Sequence, residues 1–363
     1  MLRRCSRLAS APKPFGFSGR KPRLNVSNCS PRAEPSGRRQ LHVHRVALVC
    51  DPDNPVLACQ PTLPNVEFVL GNSEADFPAD IRQELKAFIY VIPGSLDTLK
   101  AVWQASDGAE WVHSFYTGID ALKPFTSTSL RDGQILTNAR GAYSESLAEW
   151  SLTSCLYFNK QIQRVQANKG KKHWDKFVMG SLYGKTIGFV GFGHIAQTTA
   201  KLARAFGMNV VALRNNPDLL SPLADEVYGF EKRFEMLGKC DFVVCSLPGT
   251  EQTDKFMGQD EFEAMQPSAV FISIGRGIAV DEDALNRALD SKSIAGAALD
   301  VFRTEPLPVT SALWDRENVL LTAHNADYTE DYFRRGWEVW MENFEAYTNK
   351  QPLVTPVDYV AGY

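Results

Sequence analysis

The chain has no stretch of about 18 consecutive apolar residues, the length a membrane-crossing helix needs. Its longest apolar runs, such as Ala269-Val270-Phe271-Ile272, have the length of buried strands. A C-x-x-C pair is also missing. The seven cysteines, Cys5, Cys29, Cys50, Cys59, Cys155, Cys240 and Cys245, are scattered and odd in number. That pattern argues against a disulfide framework or a thiolate zinc site and for small apolar residues in a reducing compartment. Acid is nearly absent from residues 1–44, where Glu34 stands against ten Lys and Arg, and no continuous apolar stretch of the secretory kind occurs there. With a whole-chain net charge of −3 and a leader net charge of +9 (ten bases less one acid), the remaining residues carry −12. An acidic body repels phosphate backbones, which excludes nucleic acid as the expected partner.

What the first 44 residues do contain is Arg, Ser, Pro and Gly, the composition of an organelle transit peptide. The Pro and Gly after Ala11 would break a long amphipathic helix, which points to a plastid more than to a mitochondrion. The alternative is a basic tail that binds an acidic partner. Residues 1–44 are therefore set outside the fold.

From Arg45 onward short apolar runs alternate with helical stretches. Strands are expected at Arg45–Cys50, Val66–Leu70, Phe88–Ile92 and Trp111–Phe115, with helices at Ala79–Lys86 and Leu96–Gln104 between them. A longer helix follows over Ser144 to about Lys160, and a polar, basic stretch, Gln161–Lys176, closes the first unit. The second unit offers six strands: Thr186–Gly191, Asn209–Leu213, Phe242–Ser246, Val270–Ser273, Ala297–Leu299 and Val319–Leu321. Helices are expected between them at His194–Phe206, Glu231–Leu237, Gln259–Met265 and Glu282–Ser291. A last helix, Thr329–Tyr347, is long enough to reach back to the first unit. This alternation implies an α/β protein of two Rossmann-like or flavodoxin-like units, doubly wound parallel sheets with a cleft between them.

The segment Ile187–Gly193 reads I-G-F-V-G-F-G and runs into His194-Ile195-Ala196. It supplies the fingerprint G-x-G-x-x-A at Gly191, Gly193 and Ala196. The first glycine allows the tight turn, the second lets a pyrophosphate approach the backbone, and Ala196 permits close packing of helix on strand. His194 and Ile195 open the helix, whose free N–H groups suit phosphate. A glycine triplet alone is weak; here it follows a strand, opens a helix and begins a run of βα units. Where the next strand ends, enzymes that use NAD place an acid to accept from the ribose 2′-hydroxyl. This chain has Arg214-Asn215-Asn216-Pro217 instead. A guanidinium pairs with a 2′-phosphate that a carboxylate would repel. NADP(H) is therefore expected to be preferred, with Arg214 and Asn215 as readers; stacking of Arg214 on the adenine would leave NAD(H) usable as well.

Three further blocks follow strand ends: Ile274-Gly275-Arg276-Gly277, then Leu299-Asp300-Val301-Phe302-Arg303-Thr304-Glu305-Pro306, and Thr322-Ala323-His324-Asn325-Ala326-Asp327. In order and spacing they resemble the R-G, L-D-V-F-x-x-E-P and H motifs of the D-isomer-specific 2-hydroxyacid dehydrogenases, and the likeness runs from about Ile89 to Tyr347. The resemblance implies a catalytic set of Arg276, Glu305 and His324. Arg276 would bind the substrate carboxylate and help polarise the keto oxygen, and His324 would donate the proton in reduction. Glu305 would hold the other ring nitrogen of His324 and favour its charged form. Asp300 would contact the nicotinamide carboxamide, and Leu247-Pro248-Gly249-Thr250 resembles the family's loop beside the cofactor. Ile92-Pro93-Gly94-Ser95 and Tyr116-Thr117-Gly118-Ile119-Asp120 match regions lining the substrate pocket, with backbone N–H groups near Gly94 cradling the carboxylate. The resemblance also implies a homodimer and a division into residues 45–143 with 324–363 as substrate domain and 144–323 as NAD(P) domain.

The activity so implied is reduction of a small 2-keto acid, glyoxylate or hydroxypyruvate, to the 2-hydroxy acid. D-3-phosphoglycerate or D-lactate dehydrogenase is the alternative, although residues 91–97 and 114–121 contain no Lys or Arg to meet a phosphate. The end of the chain at Tyr363 leaves no room for the regulatory domain of many phosphoglycerate dehydrogenases. Formate dehydrogenase fits less well, because Glu305 stands where that enzyme has Gln. A reading of another class, a non-catalytic NAD(P)-sensing corepressor, requires nuclear access that an organelle leader would deny. One departure from the family stands out: Asp327 and Tyr328 occupy positions after His324 where small or apolar residues are usual.

Overall fold

The computed structural model describes residues 43–359 and 362. The leader reading falls outside these residues except for its last two, and His44 already belongs to the first strand, so the fold begins slightly earlier than expected.

The first sheet comprises β1 (His44–Val49), β2 (Val66–Gly71), β3 (Ala87–Tyr90), β4 (Trp111–Ser114) and β5 (Ile135–Asn138). Its order is β2-β1-β3-β4-β5 and every pairing is parallel. This is the flavodoxin-like order. The connections contain α1 (Ala79–Arg82), α2 (Leu96–Gln104) and α3 (Lys123–Thr126). β3 and β4 are buried at every residue, as strands covered on both faces must be. In α2 the Ser95 hydroxyl accepts from Thr98 N at 3.1 Å and caps the first turn, while Leu99, Val102 and Trp103 turn inward at helical spacing.

Two helices, α4 (Ser144–Asn159) and α5 (Ile162–Gly170), lead to the second sheet. Its strands are β6 (Thr186–Val190), β7 (Asn209–Leu213), β8 (Glu226–Tyr228), β9 (Phe242–Cys245), β10 (Val270–Ser273), β11 (Gly296–Leu299) and β12 (Val319–Leu321). The order β12-β11-β10-β9-β6-β7-β8 is all-parallel and reverses direction at β6, the Rossmann arrangement. The crossovers hold α6 (His194–Ala205), α7 (Arg233–Leu237), α8 (Gln259–Ala264) and α9 (Glu282–Ser291). The sheet thus has seven strands where six were expected; β8, Glu-Val-Tyr, is an edge strand too short and too charged to register as an apolar run. Likewise α5 lies in the stretch read as polar linker and buries no residue.

The last helix, α10 (Tyr332–Thr348), returns to the first sheet as expected. Trp340 stacks on Trp111 with ring centroids 6.2 Å apart, and Trp337 donates its indole N–H to Val56 O at 3.0 Å. Each sheet has an apolar core on both faces. No helix among the described residues is long and apolar enough to cross a membrane.

Candidate active site

Both sheets present the carboxyl ends of their strands to the functional residues, where open α/β sheets take ligands. At the end of β6, Gly191 adopts φ +86°, a left-handed conformation that a side chain would strain, and a Cβ there would also press on Leu247. Gly193 is the N-cap of α6 and has open space where a Cβ would project. No side chain caps that helix, so its first N–H groups remain available. Ala196 is fully buried against the sheet and Ile195 packs on the same core. His194 is held by Ser144, whose hydroxyl lies 2.8 Å from Nδ1. Leu247 and Pro248 follow β9 on the other side of the turn. An open glycine, an uncapped 12-residue helix and its partial positive charge fit the pyrophosphate of a dinucleotide.

Arg214 stands at the end of β7 with its Nη1 donating to Leu219 O at 2.9 Å, and Asn215 beside it is exposed. Among the described residues no carboxylate pairs with this guanidinium, so its charge is available to an incoming anion. A separate cavity of about 450 Å³ nearby is lined by Pro217, Tyr228, Glu226, Glu231 and Glu235. Its three carboxylates outnumber the one cation, Lys232, which makes it a poor host for phosphate, and none of Arg276, Glu305 and His324 lines it.

Glu305 and His324 meet as expected: Nδ1 of His324 lies 2.7 Å from Oε2 of Glu305, while Oε1 accepts from Phe302 N at 2.9 Å. Nε2 of the imidazole is thus the nitrogen free to face a substrate. His324 has φ +50°, a left-handed backbone unusual for a non-glycine residue. Asp300 shows how that conformation is held. Its backbone carbonyl accepts from His324 N at 2.8 Å. Its buried Oδ1 accepts from the Thr322 hydroxyl at 2.6 Å, from Asn325 N at 3.0 Å and from Ala326 N at 3.2 Å. Asp300, expected at the nicotinamide, has its carboxylate engaged in fixing the histidine turn.

Arg276 projects between Gly275 and Gly277, neither of which has room for a Cβ: at Gly277 it would fall 1.9 Å from the Phe302 carbonyl carbon. Its guanidinium reaches across to the first sheet's loops. Nε donates to Asp120 Oδ2 at 2.9 Å and Nη1 to Gly275 O at 2.9 Å, while Nη2 lies over Gly118. A second bridge runs the other way, from Lys123 Nζ to Gly249 O at 3.0 Å. These two contacts tie the loop after β4 to the loops after β9 and β10. Tyr116–Asp120 was expected to line the pocket. The bridging tasks of Asp120 and Lys123 were not foreseen, because a pairing 156 residues apart leaves no mark in local sequence.

The expectation for Gly94 is corrected. Gly94 is buried, its N–H donates to Val91 O at 2.7 Å, and the next N–H, of Ser95, donates to the Asn72 side chain at 2.6 Å. A Cβ on Gly94 would fall 2.6 Å from Val49 O, so glycine is required for packing, and neither N–H is left to cradle a carboxylate.

Residues 152–326 match the family described as D-isomer specific 2-hydroxyacid dehydrogenase, NAD binding domain. The glyoxylate reductase of Korarchaeum cryptofilum is 31% identical over 255 residues, covering 68% of this chain and 75% of that protein. The D-3-phosphoglycerate dehydrogenase of Methanocaldococcus jannaschii is 33% identical over 218 residues, 59% of this chain but 41% of that longer protein. Among solved structures, the NADPH-dependent glyoxylate/hydroxypyruvate reductase of Sinorhizobium meliloti, in complex with NADP and sulfate, superposes with a TM-score of 0.74. That likeness has 25% identity and covers 88% of this chain and 99% of the other.

Proposed function

The chain belongs to the D-isomer specific 2-hydroxyacid dehydrogenases, NAD(P)-dependent oxidoreductases, and from that premise we propose that it is an NADPH-preferring reductase of glyoxylate or hydroxypyruvate. The observation that carries this reading is the His324–Glu305 pair, with Nε2 left free, at the strand ends of the same sheet that carries Arg276. When bound, the nicotinamide supplies the hydride that adds to the keto carbon. Arg276 takes the substrate carboxylate through the protons that Asp120 and Gly275 leave unused, chiefly on Nη2. His324, protonated on both nitrogens, keeps Nδ1–H on Glu305 and gives its Nε2 proton to the keto oxygen. The Asp120–Arg276 and Lys123–Gly249 bridges tie the loop after β4 to the loops after β9 and β10 and so restrain the guanidinium that takes the carboxylate.

NADPH is favoured because Arg214 lacks an acidic partner at the position that reads the ribose. The S. meliloti reductase, bound to NADP, supports the same choice. A phosphorylated substrate is less well served, since Lys123, the cation nearest the pocket loops in sequence, has its ammonium on Gly249 O. The exposed apolar residues Trp174 (97%), Val178 (89%) and Tyr183 (80%) support the expected homodimer. Residues 1–44 are proposed as the plastid address, and a fluorescent fusion of that segment remaining in the cytosol would refute it.

The test of activity is NADPH oxidation followed at 340 nm with glyoxylate and hydroxypyruvate. His324→Ala and Arg276→Ala are each expected to lower turnover by about 10²–10⁴-fold. Turnover surviving both changes would remove the assigned site.

A further inference from the structure

Four serines lie along α4, and they divide by where their hydroxyls go. Ser151 and Ser154 bond back along the helix, to Leu147 O at 2.8 Å and to Trp150 O at 2.9 Å, a common use of serine within a helix. Ser144 and Ser146 sit in the first turn, where the carbonyl four residues back lies outside the helix. Their hydroxyls reach away from α4 instead. Ser144 Oγ lies 2.8 Å from Nδ1 of His194, the first residue of α6. Gly141, where a Cβ would fall 3.5 Å from Cε1, backs the same imidazole. The Ser146 hydroxyl donates to Ala326 O, 180 residues away and two residues beyond His324. Tyr143, immediately before the helix, donates its phenol to Phe115 O at 3.0 Å, in the loop after β4. Tyr143 and Ser144 are both buried.

Ala326 is thereby held from two directions. Its N–H donates to Asp300 Oδ1 at 3.2 Å, just past β11, and its C=O accepts from Ser146 on α4. His324 N is fixed on Asp300 O at 2.8 Å, so the left-handed turn at His324 runs between two anchored points. Reduction of a keto group needs two deliveries in register, a hydride to the carbon and the Nε2 proton to the oxygen. The phosphate-binding turn at the start of α6 locates the first, and the turn holding His324 locates the second. The geometry points to the first turn of α4 as the common brace between them, with Ser146 the positioning residue for His324 and Ser144 the positioning residue for the cofactor turn. The inference rests on the keto-acid reductase reading and deepens it. A misplacement of about 1 Å between reacting groups costs about 100-fold in rate, so releasing one anchor of the histidine turn slows the chemistry while cofactor affinity is kept. Loss of the Ser144 hydroxyl instead frees His194 at the phosphate-binding end of α6, and its effect falls on that affinity.

The experiment compares the full-length wild type with Ser146→Ala, Ser144→Ala and Ser151→Ala, measuring Kd for NADPH by fluorescence titration and kcat and KM for glyoxylate. Ser146→Ala is expected to lower kcat about tenfold while Kd for NADPH and KM for glyoxylate stay within about twofold. Ser144→Ala is expected to weaken NADPH binding about fivefold and to change kcat less. Ser151→Ala removes a buried hydroxyl from the same helix and should leave all three constants within about twofold, so it reports what a purely structural loss does. The proposal is overturned by Ser146→Ala turning over at the wild-type rate, by Ser151→Ala losing kcat as heavily as Ser146→Ala, or by Ser144→Ala binding NADPH as the wild type does. A Ser146→Ala protein that no longer binds NADPH overturns the division of tasks as well. Absence of wild-type turnover with every keto acid would instead bring down the reductase reading, while NADPH titration of Ser144→Ala still tests its half of the brace.

Discussion

The two sheets meet one requirement, parallel strands covered on both faces, with different side chains. The first sheet's cores are aromatic. Trp103, Trp111, Phe88 and Phe125 come from its own elements, and Trp337, Trp340 and Phe344 arrive on α10. The second sheet's buried clusters contain no tryptophan and are built largely from Ala, Val, Leu, Cys and Met. There, tight spacing does the work: a Cβ on Gly188 would fall 2.3 Å from Cys240 Sγ. The cofactor-binding half is thus completed by crossovers near in sequence. The first half needs a helix from the far end of the chain to close one face. Its core is a long-range construction, and it should be the half that fails first when α10 is weakened.

Trp340→Ala tests this most severely. Trp340 is fully buried and stacks on both Trp111 and Phe344, so its truncation should cost about 3–5 kcal/mol in urea denaturation. Trp340→Phe should cost much less, because the buried indole N–H has no hydrogen-bond partner to lose. Equal losses for the two would mean that the ring volume is not what closes the face. On the other half, Arg214→Asp should shift the ratio of NADPH to NADH efficiency toward NADH by about tenfold or more while leaving stability nearly unchanged. An unaltered ratio would remove Arg214 from cofactor choice.

Asp120→Ala probes the link between the halves. The pair it forms with Arg276 is partly exposed, so melting temperature should hardly move. KM for the keto acid should nevertheless rise about tenfold, with kcat changing less, because the guanidinium loses its restraint. A large drop in stability with no change in KM would reverse that assignment. The smallest effect concerns His113, wholly buried in β4, whose imidazole burial pushes down to about 3 from 6.5. Its unfolded form binds a proton that the folded form refuses. Stability is therefore complete above pH 6.5 and declines as pH falls toward 3. His113→Asn should flatten the decline by about 1 kcal/mol between pH 6.5 and 5.5, measured by denaturation at the two values.

The contrast between the halves also governs what could be read in advance. In the second half, function sits at strand ends flanked by glycines, and both are visible as local pattern: Gly191 and Gly193 after β6, Arg276 between two glycines, His324 after β12. In the first half the same reasoning misled at Gly94, where glycine serves packing against Val49 O. It was silent on Lys123, whose partner lies 126 residues away. The missed elements lack a clear apolar pattern. β5, Ile-Leu-Thr-Asn, and β8, Glu-Val-Tyr, mix polar with apolar residues and so do not stand out as apolar runs, and α5 has no apolar face for a period to reveal.

Gly118 leaves little freedom to anyone wishing to redesign this pocket. A single methyl at that position would fall 1.5 Å from Nη2 of Arg276, so alanine there requires that guanidinium, the far end of a flexible side chain, to shift away. A substitution at Gly118 therefore acts first on where Arg276 sits, and on any ligand only through that displacement.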